Sequence, residues 1–138
     1  MATFDASRML SFDLETTSAN PREARVVTSA LVRIDGSEVD ANETLADPGV
    51  EIPEEAAKVH GITTEKARAE GRDHDEVVRE TVEAIKKGWE DGLTLVVFNA
   101  PYDLTVLRQL TGDFTVTGPV FDPCLLYTST SPRDLSTS

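Results

Sequence analysis

The chain has 138 residues, 39% of them hydrophobic, and carries a formal net charge of −12 at pH 7. This size and composition predict one folded domain, and no apolar run is long enough to predict a membrane span. The N-terminus also lacks the charged-then-apolar pattern of a signal peptide, so we expect a cytoplasmic protein with no membrane partner. The single cysteine, Cys124, excludes an intrachain disulfide, and the acidic balance argues against a large basic surface for polyanions.

Three β-strands are predicted first along the chain. Residues 8–14 form an apolar-rich run that ends in acids, and residues 25–34 are rich in β-branched side chains. Asp35-Gly36 is a hairpin turn signal, after which residues 38–45 can return as a third strand. The sequence therefore predicts an antiparallel start to the sheet.

Helices and strands then alternate. The predicted elements are a loop from Pro48 to Pro53, a short helix over 54–59 that ends at His60-Gly61, a second short helix from Thr63 or Thr64 to Ala69, a long helix over 73–90, a strand over 94–98, a helix over 101–111 and a last strand over 114–121. In the long helix Val78, Val82, Ile85 and Trp89 form an apolar stripe, which we interpret as core packing. The order predicts an α/β fold, a mixed sheet flanked by helices.

Asp13 and Glu15 lie two residues apart at the end of the first predicted strand. Side chains at such a spacing share one face of a strand, so the two carboxylates converge. Like charges on a buried strand are unfavourable unless a cation offsets them, and carboxylate oxygens suit Mg²⁺ or Mn²⁺. The alternative is a pair of acids that face solvent at a strand end.

A second acid follows the predicted strand over 94–98. There the residues Asn99-Ala100-Pro101-Tyr102-Asp103 read as a turn into a helix with proline in its first turn. Asp103 would lie near that N-terminus, where the helix dipole by itself favours an acid. The spacing alone leaves both a metal ligand and a dipole-stabilised acid open.

Three separated segments together resemble a known family. They are Phe-Asp-Leu-Glu-Thr-Thr at 12–17, Val-His-Gly-Ile at 59–62 and Asn-Ala-Pro-Tyr-Asp at 99–103. In this order they resemble the DEDD-type (DEDDh, DnaQ-like) 3′–5′ exonucleases, the family of the proofreading epsilon subunit of bacterial DNA polymerase III. The resemblance spans residues 8–123. It implies a ribonuclease-H-like mixed sheet in which the first strand and the strand over 94–98 are neighbours.

The resemblance also implies an activity and a site. Two Mg²⁺ or Mn²⁺ ions would support hydrolysis at a nucleic acid 3′ end, DNA rather than RNA, with a DNA polymerase as a further partner. The acidic chain can tolerate this substrate if metal ions hold the phosphate and only a few nucleotides are gripped. Catalytic and metal-ligating roles fall to Asp13, Glu15 and Asp103; substrate-binding roles fall to Leu14, Thr16, His60, Gly61, Ile62 and Asn99. His60 can equally be a plain residue of a helix end, and Ser18 stands where many relatives have glycine.

The C-terminal part departs from the family. Relatives continue through further helices to a third motif with a general-base histidine and a fourth carboxylate, whereas the only histidines here are His60 and His74, and the only acid after Asp122 is Asp134. Residues 124–138 look like a translated sequencing adapter, with a natural Ser/Thr-rich terminus as the alternative. We therefore expect a partial exonuclease domain over 1–123 without its C-terminal helices, a non-native tail over 124–138, and a fragment that is inactive.

Two other functional classes remain open. One is a non-catalytic nucleic-acid-binding or polymerase-associated module, in which alanine at Asp13 and Glu15 would leave the function unchanged. The other is a phosphotransfer or nucleotide-binding domain that uses Asp13 and the Thr16-Thr17 pair. The chain has no glycine-rich loop followed by Lys-Ser/Thr, which counts against the second class.

Overall fold

A computed structural model describes residues 7–123, where the chain forms a six-stranded sheet and four helices. The elements are β1 (Arg8–Thr16), β2 (Val26–Asp35), β3 (Glu38–Asp47), α1 (Glu54–His60), α2 (Thr64–Glu70), β4 (Arg72–Asp73), α3 (His74–Glu90), β5 (Thr94–Val96), α4 (Ala100–Thr111) and β6 (Val120–Phe121). The predicted tail over 124–138, with Cys124, lies outside the described residues. Within 7–123, no helix combines the length and the apolar character needed to cross a membrane.

The sheet is mixed, as the sequence predicts. Its order is β4-β3-β2-β1-β5-β6, with β1, β2 and β3 antiparallel and with β5 parallel both to β1 and to β6. Gly36 makes the predicted hairpin turn with a φ of +67°, a backbone region that favours glycine. The expected contact between the first strand and the strand that starts at Thr94 is confirmed, with Leu10 paired to Leu95.

The core lies between one face of the sheet and the helices α3 and α4. Leu10, Phe12 and Leu14 alternate along β1 and are all buried. The predicted stripe on α3 is confirmed, since Val78, Val82 and Ile85 are buried and Trp89 packs against the same cluster. Because Phe12 and Leu14 face this core, Asp13 and Glu15 lie on the opposite face of β1.

The predicted strand over 114–121 is wrong for most of its length, because only Val120–Phe121 pairs with β5. The preceding residues pack on an aromatic side chain instead: Phe114 stacks on Trp89 with ring centroids 6.2 Å apart. The indole N–H of Trp89 donates to the Pro119 carbonyl over 2.9 Å. A Cβ at Gly118 would lie 2.2 Å from the Trp89 ring, so this loop follows a path that only tertiary packing defines.

Two further boundaries differ from the prediction. The strand that starts at Thr94 ends at Val96 rather than at residue 98, and Phe98 is 62% exposed where the chain turns toward α4. The two-residue strand β4 was not predicted, and it pairs in parallel with Ala46 and Asp47 at the end of β3. A two-residue strand carries no periodic pattern, so its sequence could not reveal it.

The two short helices form where they were predicted. Gly61 ends α1 with a φ of 76°, and its N–H donates to the Ala57 carbonyl over 2.7 Å. Thr63 caps α2, since its hydroxyl accepts from the Lys66 N–H over 3.2 Å.

The first residue of α3, His74, links that helix to β2. Its Nε2 accepts the Val26 N–H over 3.0 Å, which places the proton of the neutral ring on Nδ1, where it donates to Asp75 over 3.0 Å. The Arg25 guanidinium lies beside the same ring. Burial of the side chain lowers the pKa of His74 below its ordinary value of 6.5.

This lowered pKa predicts acid sensitivity. The unfolded chain takes up the His74 proton first, so the contribution of His74 to the free energy of unfolding should fall as the pH drops below 6.5, until the pKa of the folded state is reached. Each unit of pKa lowering corresponds to about 1.4 kcal/mol. The difference in free energy of unfolding between the parent and His74→Gln, measured in urea from pH 8 to pH 5, isolates this loss from the other titrating groups, which both proteins share. An equal pH dependence in both proteins would contradict the assignment.

Candidate active site

The two acids of β1, Asp13 and Glu15, lie on the part of this strand that has no pairing with β5. β5 ends at Val96, opposite Ser11, so Asp13 and Glu15 extend beyond the end of β5. Burial raises the pKa of Asp13, the Leu14 N–H acts in the opposite direction, and the negative charge of Glu43 adds to the rise. Glu43 acts from β3 because Asp13 and Glu43 both pair with Ala30.

Asp103 lies in the first turn of α4 and is only 4% exposed. Burial raises the pKa of its carboxyl to about 7, with the negative charge of Asp13 as the next cause and those of Glu15 and Asp122 as lesser ones. The Leu14 N–H partly opposes this rise. Its Oδ2 is buried and has no hydrogen-bond partner among the residues that the structure describes. A buried carboxylate oxygen without a donor is unfavourable, so the position suits a cation.

The structure therefore brings together the three predicted metal ligands closely enough for their charges to interact. Within residues 7–123, no three Asp, Glu, His or Cys side chains are already arranged to hold an ion by themselves. Mg²⁺ commonly takes one or two carboxylates and completes its octahedron with water and substrate phosphates. The donor chemistry of Asp13, Glu15 and Asp103 fits such an open site, and their role as ligands stays a prediction.

Tyr102 ties α4 to the end of β1. Its hydroxyl lies 2.5 Å from Thr16 Oγ1 and donates to the Ser18 carbonyl, and Thr16 Oγ1 lies 3.0 Å from the same carbonyl. The family resemblance implies a substrate-binding role for Thr16 and none for Tyr102. The available signal was that Tyr102 lies inside the Asn-Ala-Pro-Tyr-Asp segment at 99–103.

The other predicted substrate-binding residues lie in different environments. The Leu14 side chain is in the core, so only its backbone can serve the site. Asn99 precedes α4 in a left-handed conformation, with φ 62° and ψ 55°. His60 accepts the Ile62 N–H at Nδ1 over 3.2 Å, and its Nε2 is buried without a hydrogen-bond partner in the described part of the chain. The substrate roles of these residues, and of Gly61, stay predictions.

A family model described as exonuclease (RNase T type) matches residues 10–114, which contain all three acids. The chain belongs to the DnaQ-like 3′–5′ exonuclease family. The resemblance seen in the sequence is thereby confirmed, together with the ribonuclease-H-like fold. A DnaQ-like domain is consistent with the observed mixed sheet and its flanking helices.

One sequence relative agrees with this family, and two solved structures share its fold. A DNA polymerase III subunit epsilon-like protein of Rhodobacter capsulatus is 35% identical over 127 residues, an alignment that covers 83% of this chain and 16% of that protein. E. coli exonuclease I in complex with a dT13 oligonucleotide superposes with a TM-score of 0.70 at 20% identity over 86% of this chain and 28% of that one. A product-bound exonuclease I gives 0.70 at 19% identity over 87% and 30%. This DnaQ-like chain thus spans less than a third of each of these relatives.

The Tyr102 contact predicts a measurable coupling. Tyr102→Phe removes one hydroxyl and should lower the free energy of unfolding by about 1 kcal/mol. Urea unfolding of Tyr102→Phe, Thr16→Val and the double variant gives the interaction energy between the two hydroxyls. Strictly additive losses would show that the two side chains do not interact.

The raised pKa of Asp103 predicts stabilisation when its charge is removed. Because the folded-state pKa is raised, stability is lost as the pH rises from 3.8 to about 7, a difference bounded at about 4 kcal/mol. Metal-free Asp103→Asn should therefore be more stable than the parent at pH 8, as measured by urea unfolding. The exposed Asp113→Asn is the matched control and should show no gain. A loss of stability in Asp103→Asn would mean that the carboxylate is already well satisfied.

Proposed function

We propose that this chain carries most of the catalytic carboxylates of a metal-dependent 3′–5′ exonuclease that acts by a two-metal mechanism. The observation that carries the proposal is the buried Asp103 carboxylate, which has one oxygen without a hydrogen-bond partner among residues 7–123 and interacts electrostatically with Asp13 and Glu15. A purely structural carboxylate that is buried at a helix start would normally have both oxygens hydrogen-bonded. Family membership supports the same activity.

Asp13, Glu15 and Asp103 would hold two Mg²⁺ or Mn²⁺ ions. When bound, the ions supply a water nucleophile and neutralise charge on the phosphate and the leaving oxygen. The residues of the chain orient this chemistry: β1 presents two acids on one face, and Tyr102 holds α4 against the end of that strand. The backbone from Leu14 to Thr16 borders the acids and would lie along the terminal nucleotide.

The natural substrate of the longer protein would be a DNA 3′ end. The exonuclease I relative is in complex with a dT13 oligonucleotide, and the Rhodobacter relative is described as epsilon-like, which supports single-stranded DNA as substrate and a DNA polymerase as partner. The net charge of −12 suits a site that grips few nucleotides, so few phosphates are contacted and we expect binding to depend only weakly on salt.

The 138-residue chain itself should be inactive or nearly so. Its sequence has no histidine after His74 and no acid after Asp122 except Asp134, so the general base and the fourth carboxylate of the family are missing. Loss of a general base alone costs about 10²–10⁴-fold in rate. Substantial metal-dependent cleavage by this chain would refute its proposed inactivity.

The decisive experiment uses the gene beyond codon 123. The extended protein, if it encodes a downstream histidine and acid, should shorten a 5′-labelled single-stranded oligonucleotide from its 3′ end when Mg²⁺ or Mn²⁺ is present. Asp13→Asn should reduce the rate by about 10²-fold or more because a charge-stabilising metal ligand is lost, while Asp113→Asn should retain full activity. Unchanged function in Asp13→Asn would favour the non-catalytic binding module instead.

A further inference from the structure

The acid at the end of β6, Asp122, contacts the start of α4. One carboxylate oxygen accepts the Asn99 N–H over 3.1 Å, and the other accepts the Ala100 N–H over 2.7 Å. The side chain is 7% exposed. Both oxygens are thus engaged by backbone donors at the exact turn that leads from β5 into the helix that carries Asp103.

These two hydrogen bonds supply the N-terminal cap of α4 that the local sequence lacks. Asn99 occupies the N-cap position, but its side chain makes no capping hydrogen bond, and it is the single non-glycine residue with positive φ in the described range 7–123. Helix N-termini leave backbone N–H groups without intrahelical partners, and a carboxylate there is also favoured by the helix dipole. Asp122 therefore acts as a cap from a distant part of the chain and stabilises an otherwise unfavourable backbone conformation.

The sheet determines where this cap lies. The Leu95 N–H donates to the Pro119 carbonyl over 3.0 Å, and the Val97 N–H donates to the Phe121 carbonyl over 3.1 Å. These bonds continue the parallel pairing of β5 with β6 up to the residue before Asp122. The pairing of β5 with β6 therefore fixes the position of Asp122, and the carboxylate of Asp122 holds the first turn of α4.

We propose that Asp122 is a positioning residue of the metal site, which fixes the backbone of Asn99 and Ala100 and thereby the location of Asp103. The inference rests on the proposed function, because it assigns Asp122 to the support of a metal ligand. Asp122 itself is not proposed as a ligand, since its two oxygens already accept backbone N–H groups. Residues that orient metal ligands in this way typically change metal affinity about 10–100-fold when they are substituted.

The test measures Mn²⁺ affinity of the 138-residue chain by isothermal titration calorimetry, at a temperature where each variant is folded by circular dichroism. Asp122→Asn keeps the shape of the side chain but replaces one acceptor oxygen by an NH₂ group. We expect its Mn²⁺ affinity to fall about 10–100-fold. Asp113→Asn, which removes an exposed acid of the same type, should bind Mn²⁺ like the parent chain.

A double-mutant cycle separates positioning from a general loss of charge or stability. If Asp122 acts through Asp103, Asp122→Asn should change the Mn²⁺ affinity less than twofold in the Asp103→Asn background, although each single substitution weakens binding. A merely structural role would lower the unfolding temperature and leave the affinity of the folded protein unchanged. Equal effects of Asp122→Asn in both backgrounds would overturn the inference.

Further outcomes are equally decisive. If Asp122→Asn does not fold, Asp122→Glu, which keeps the charge and both oxygens on a longer side chain, should show the same loss of affinity; failure of both variants to fold would assign Asp122 to the fold alone and reject the proposal. Parent-like Mn²⁺ binding by folded Asp122→Asn, with binding lost in Asp13→Asn, rejects this inference only. Absence of Mn²⁺ binding by the parent chain rejects the proposed metal site and this inference together.

Discussion

The parallel pairing of β1 with β5 is the constraint on which the candidate site depends. It stops at Ser11 and Val96, so β1 continues past the end of its neighbour while the chain turns at Asn99 into α4. This offset places the first turn of a helix beside two acids of a strand. The raised pKa of Asp103 follows from that placement, because its carboxyl is buried and lies near the negative charge of Asp13.

Holding like charges together needs opposing contacts, and the structure supplies them from outside the acid cluster. Tyr102 joins α4 to the end of β1, while Asp122 joins the same helix to the sheet edge. Both contacts use backbone groups next to the sheet: the Ser18 carbonyl just beyond β1, and the Asn99 and Ala100 N–H groups at the start of α4. The repulsion that remains is the energy that a bound cation would relieve, which couples metal binding to stability.

The acidic character of the chain is compatible with a nucleic-acid substrate, because bound cations would offset the negative charge of the carboxylates. A cleft whose carboxylates bind cations presents positive charge to a phosphate only when the cations are present, so a basic surface is not required at the reacting bond. Affinity for the remaining nucleotides would then depend on few contacts and on ionic strength. Membership in the DnaQ-like family supports the fold. The proposed hydrolysis rests on the carboxylates of Asp13, Glu15 and Asp103.

The sequence by itself determined the strand alternation that puts Asp13 and Glu15 on one face, the apolar stripe of α3 and the three ordered motifs, because each depends on residues close in the chain. It did not reveal that Phe114 stacks on Trp89 instead of extending β6, or that Asp122 caps α4 across more than twenty residues. Only the tertiary structure decided these contacts, and with them the burial of Asp103, because long-range packing and desolvation have no local periodicity from which they can be read.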